Sequence, residues 1–156
     1  METFLKNLEK AKNITFTADH LIYVTYPLLK DKKLLLKILL ETKNAIIYSL
    51  NSILQYEYLF KRIRLHTDPK INFKTFQNKC AAKYGITESQ IKLIMNLLDL
   101  SEKHKKSPME YLKNDKIVIL SKSSEQTILP IEKIKEFVEL SKNILKKIES
   151  RFLRNI

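Results

Sequence analysis

"LLLKILLETKNAIIYSLNSILQYEYLF", residues 34–60, is the stretch on which the fold turns. It holds neither Gly nor Pro, and its apolar residues run from Leu34, Leu35 and Leu36 through Ile46, Ile47, Ile53 and Leu54 to Leu59 and Phe60. They cover more than one face of a helix, and a helix apolar around so much of its circumference belongs at a centre, touching several neighbours. Asp31 stands in front of it as an N-cap, and the pattern continues to about Leu65.

The flanking segments supply those neighbours. Phe4, Leu5, Leu8, Ala11, Phe16, Ala18, Leu21, Ile22 and Val24 predict a first helix from about Glu2 to Thr25, with Pro27 marking its end. Asp68 as cap and Pro69 at a first helical position open a third helix carrying Phe73, Phe76, Cys80 and Tyr84, closed by Gly85. Thr87 and Gln90 form a capping-box pattern before Ile91, Leu93, Ile94, Leu97, Leu98 and Leu100. Ser107, Pro108 and Glu110 repeat that signature and predict a short helical turn at "SPMEYL". "KIVIL", "SKSSEQ" and "TIL" then read as a small hairpin, and Pro130 opens a last helix through to about Phe152.

These readings add up to a mostly α fold: an antiparallel bundle of about five helices with a small strand-like hairpin before the last one. At 156 residues with a single Gly, the chain is one domain, 1–156, long enough to bury a core and too poor in Gly for the many positive-φ turns of an all-β fold. The lone Cys80 excludes an intramolecular disulfide and falls on the stripe of Phe73 and Phe76, a core position. No secretory pattern and no run of eighteen uncharged apolar residues is seen, so a cytoplasmic location is expected.

The net charge of +12 and pI near 9.7 point to an anionic partner, nucleic acid first. Nearly all of it is Lys, with only Arg62, Arg64, Arg151 and Arg154 as Arg. An AT-rich coding sequence produces such a bias by itself, whereas bidentate phosphate recognition favours Arg. Two basic segments stand out, "KRIRLH" (Lys61, Arg62, Arg64, His66) and "KHKK" (Lys103, His104, Lys105, Lys106). If successive helices alternate direction, the ends of the second and fourth helices meet, and the two segments form one nucleic-acid-binding surface. The plainer account is that cations in a last turn complement the helix dipole.

Other chemistry is poorly served. His20, His66 and His104 make no metal-ligand spacing, and one Gly builds no phosphate loop, so neither metal nor cofactor is expected. Tyr23, Tyr26, Tyr48, Tyr56, Tyr58, Tyr84 and Tyr111 stack on bases if exposed beside Lys, and otherwise line a core.

With its long apolar second helix and a polar His-bearing segment late in the chain, the sequence resembles the HEPN superfamily and related archaeal helical proteins. The resemblance implies a helical bundle. Active HEPN members cleave RNA without metal through an Arg, four to six residues, then His, often across a dimer. Asn13 to Thr15, Leu59 to Lys61 and Leu97 to Asp99 are where that Arg would precede His20, His66 and His104, and none is Arg. Lys61 before His66 comes nearest, while Arg62 lies one residue too close and about 100° around the helix. The expectation is therefore a non-enzymatic protein binding RNA or an RNA-containing assembly. One alternative is a HEPN-like ribonuclease using His66 or His104 with Lys61 or Arg62; another is a protein-interaction module. Self-association into a homodimer is expected from the apolar circumference of the second helix.

Overall fold

The computed structural model describes residues 2–154. Its elements are α1 (Thr3–His20), a wide π turn (Leu21–Thr25), α2 (Tyr26–Leu29), α3 (Lys32–Leu59), α4 (Pro69–Thr75), a second π turn (Phe76–Cys80), α5 (Glu88–Lys106), β1 (Met109–Lys113), β2 (Lys116–Leu120), β3 (Gln126–Pro130) and α6 (Ile131–Arg154). The protein is mostly α, with a small antiparallel sheet, order β1-β2-β3, just before the final helix. Among the described residues no helix is long and apolar enough to cross a membrane.

The central stretch does what its composition requires. α3 packs against α1, α5, α6 and the second π turn, and Leu35, Ile38, Leu39, Ile46 and Ile53 are completely buried. Its apolar circumference is thus largely covered within one chain. Asp31 caps it by accepting from the Lys33 N–H at 2.9 Å. Its end comes at Leu59, six residues before the expected Leu65. The chain closes there in a Schellman arrangement: Arg62 N–H donates to Glu57 O, Lys61 N–H to Tyr58 O, and Lys61 takes the left-handed φ of 59° that glycine usually supplies.

Pro27 does not end the first helical segment. The π turn takes Tyr26 N–H to Leu21 O, five residues back, and helix resumes to Leu29. A proline lacks the amide that would bond the carbonyl four residues behind and crowds that carbonyl; a widened turn just before it accommodates both defects.

"SPMEYL" is a strand, not a helical turn. Ser107 Oγ bonds Met109 N and O and Leu120 O, which turns the chain into the sheet, and Tyr111 and Leu112 then pair with Val118 and Ile117. Asn114 and Asp115, both at positive φ (51° and 61°), form the two-residue loop between β1 and β2, the geometry favoured by strand twist. Pro130 closes β3 opposite Lys116, and α6 starts one residue later with Ile131 N–H bonded to Asp115 O.

The bundle has two distinct ends. At one, Tyr26 hydroxyl donates to Asp115 at 2.8 Å and Lys32 to Glu110 O at 3.1 Å, which ties α2 and the start of α3 to the sheet. At the other, Phe4 packs edge-on against Tyr56 and Phe152, joining the start of α1 to the ends of α3 and α6. α4 and its π turn do not span this distance. They leave from the far end and return to it, where Lys83 pairs with Glu57, so α5 starts at that end and runs back to the sheet. Counting helices as alternating full-length rods therefore misplaces the end of α5.

Candidate nucleic-acid interface

The short α4 separates the two basic segments. Lys103, His104, Lys105 and Lys106 finish α5 beside the sheet, whereas Lys61, Arg62, Arg64 and His66 follow the opposite end of α3. A helix of 28 residues is about 42 Å long, so the expected composite surface does not form.

The charges at the sheet end are used locally. Lys103 pairs with Asp99 at 3.3 Å and Lys106 with Glu102 at 4.0 Å, each one helical turn back. His104 Nδ1 lies 2.6 Å from a Glu110 carboxylate oxygen, and both side chains are largely shielded. Lys30 pairs with Asp115 at 3.2 Å. Together the Tyr26 hydroxyl and the Lys30 ammonium hold the Asp115 carboxyl below its ordinary range, while burial and Asp115 push Tyr26 up to about 12.

The far end is built around aromatic rings. Phe152 lies between Phe4, Tyr56 and Tyr84, with centroids 5.2, 4.4 and 6.3 Å away. Arg62 covers the outer side of this cluster, 5.6 Å from the Tyr56 ring and 5.0 Å from the Phe60 ring; Arg151 lies over Tyr84 at 6.0 Å. Arg64 lines a hollow of about 270 Å³ with Lys61, Arg62 and Lys79, and Arg154 lines a second, of about 380 Å³, with Lys83 and Arg151. All four arginines of the chain thus gather at one end.

One buried carboxylate holds Arg62 and Lys83 at this end. Glu57 is 1% exposed; one oxygen takes Arg62 Nε in a short hydrogen bond and the other faces Lys83 Nζ at 3.6 Å. That hydrogen bond is the main cause raising the Arg62 pKa. Burial, then Glu57, raises Tyr84, and the same two causes push Cys80 up to about 11. Cys80 is fully buried, so the thiol is a core side chain, as its place on the Phe73 and Phe76 stripe indicated. Among the described residues Tyr84 hydroxyl is the one buried side-chain polar atom with no partner.

The histidines share no site. His66 stands exposed after Arg64, its backbone held on both sides by Asn72, while His104 belongs to the sheet end. Nothing in the sequence pattern places Lys79, Lys83, Arg151 or Arg154 at this surface. The available signal was the scarcity of Arg in so lysine-rich a chain. A larger apolar cleft of about 760 Å³ lies between α3, α4 and α5.

Neither a protein-family model, nor a curated protein, nor a solved structure matches this chain.

Proposed function

We propose that the protein is a non-catalytic RNA-binding module that engages single-stranded RNA through the arginine end of its bundle. The observation that carries this reading is the gathering of Arg62, Arg64, Arg151 and Arg154 at one end of the bundle. Lysine richness is spread by composition, but composition does not sort four arginines to one pole. Arg presents a planar fork suited to phosphate oxygens and stacks on bases. Tyr58 and Phe60 stand half-exposed beside Lys61 and Arg62, and exposed rings next to cations form the stacking platform that single strands use. Lys61, Arg62 and Arg64 belong to this surface; Lys103, His104, Lys105 and Lys106, at the sheet end, do not.

The test is the affinity for unrelated single-stranded RNA oligomers over a range of salt, for the native protein and for Arg64→Gln with Lys79→Gln. Loss of two phosphate contacts weakens binding to every sequence alike and reduces the log–log salt slope by about 1.4. An unchanged slope in a folded double variant removes the proposal. RNA cleavage without metal that His66→Ala abolishes would replace it with the HEPN-like reading, since Lys61, Arg62 and His66 share the loop after α3.

A further inference from the structure

Resting on that reading, we infer that the hollow between the turn 82–85 and the last turns of α6 is a pocket for a terminal phosphate, a phosphomonoester at an RNA end. Its volume is about 380 Å³, and five of its ten lining residues are cations, Lys83, Lys146, Lys147, Arg151 and Arg154, with no carboxylate among the ten.

The neutral groups are equally one-sided. Lys147 Nζ donates to two uncharged acceptors, Gly85 O and Gln90 Oε1, the second at 2.7 Å. Its charge stays uncompensated and one of its three N–H groups is left over. Asn143 spends its side-chain oxygen on Gln90 Nε2 at 2.8 Å, which leaves its amide hydrogens as donors. Gln90 thereby fixes both residues, and it is itself fixed at the start of α5 by the Thr87 capping box. Arg151 rests on the Tyr84 ring and Lys83 on Glu57. Lys83, Asn143, Lys147 and Arg151 are therefore held by the protein's own contacts, so little of their order is lost when an anion enters.

The hollow beside Arg62 and Arg64 is smaller, about 270 Å³, and slightly more open, at the same end of the bundle. A diester carries one negative charge and continues on both sides, which suits that more open hollow. A phosphomonoester carries about −1.5 to −2 charges near neutral pH and three acceptor oxygens, which match a concave set of donors. The two hollows thus divide the work, the smaller following the strand and the pocket holding its end.

Three RNA oligomers of one sequence test this: 5′-phosphorylated, 3′-phosphorylated and hydroxyl-ended, with inorganic phosphate as competitor. A phosphorylated end is expected to bind at least about tenfold tighter than the hydroxyl-ended strand, the equivalent of one charge-assisted hydrogen bond. Which terminus gains identifies the end recognised; a gain at both, abolished by phosphate, assigns the pocket to the phosphate group itself. Lys146→Gln with Lys147→Gln is expected to bring phosphorylated and hydroxyl ends together, while the hydroxyl-ended affinity falls less than about threefold. Lys146→Gln alone changes an exposed side chain and guards against a folding artefact. Equal affinity for all three oligomers, with RNA binding intact, overturns the pocket and spares the RNA reading; absence of binding to any of them overturns both.

Discussion

At the sheet end, Lys103 reaches back to Asp99, Lys106 to Glu102, His104 to Glu110 and Lys30 to Asp115, each cation meeting an anion supplied nearby. At the arginine end a single buried carboxylate faces Arg62 and Lys83, and the remaining cations line two hollows that hold no carboxylate, although Lys61 and Arg64 also border a third, of about 510 Å³, that Glu2 helps to line. Basic segments that look alike in sequence are thus electrostatically different: in one every cation but Lys105 meets an acidic side chain, whereas in the other most do not. Proximity of opposite charge, which spacing along a helix reveals only in part, separates a solvated end from a binding end.

The first way to break this contrast is to remove its support. Phe152→Ala takes away the ring that Phe4, Tyr56 and Tyr84 share, and is expected to lower the unfolding free energy by about 3–5 kcal/mol in a urea titration. A loss below 1 kcal/mol, on the order of an exposed-site change, would mean that the arginines do not depend on this cluster. Next comes the buried carboxylate. Glu57→Gln leaves Arg62 and Lys83 facing an uncharged group, and is expected to cost about 1–3 kcal/mol. The range is set below that of a fully buried pair because both cations reach solvent and rehydrate.

The sheet end should respond far less. Neutralising Lys103, Lys105 and Lys106 together is expected to cost at most about 0.3–1 kcal/mol each and to leave the salt slope for RNA unchanged. A lowered slope would show that the paired end binds too and would collapse the distinction. The smallest effect concerns pH. The Asp115 carboxyl is held below its ordinary range by Tyr26 and Lys30, so its contribution is present above the unfolded pKa and disappears as pH falls through the lowered folded value. Asp115→Asn should accordingly flatten the acid limb of a stability–pH curve by lowering stability at neutral and alkaline pH, while leaving stability below the folded pKa of Asp115 little changed.

What the sequence disclosed was local. Asp31, Asp68 and the Thr87–Gln90 capping box act within a few residues of themselves, and all three form as their spacing predicts. The central helix was legible because its apolar circumference admits no other place. "SPMEYL" misled because Ser107 and Glu110 satisfy a capping pattern whose atoms are claimed from afar, by Leu120 O and by His104. The hairpin signal was nonetheless present in Asn114–Asp115, two residues tolerant of positive φ between β-favouring runs. Helix direction was harder. Periodicity reports which face is apolar, not whether a helix crosses the bundle, and α4, which does not cross it, reverses the placement of everything up to β1. The candidate site suffered from the same blindness: Lys61, Arg62 and Arg64 stand out as a basic segment, but their neighbours Lys83, Arg151 and Arg154 come from distant parts of the chain.

The wide turn at Leu21–Thr25 has a consequence of register. A hydrogen bond that closes over five residues in place of four means that this helical segment holds one residue more than an α-helix of the same length would. Every side chain beyond it is turned by about 100° from where an unbroken helix would aim it. Tyr26, completely buried and the anchor for Asp115, owes its azimuth to that surplus residue. Deleting Val24, which is half-exposed, would remove the surplus residue, so that the turn closes as ordinary α-helix of the same length with the anchor still aimed at the hairpin.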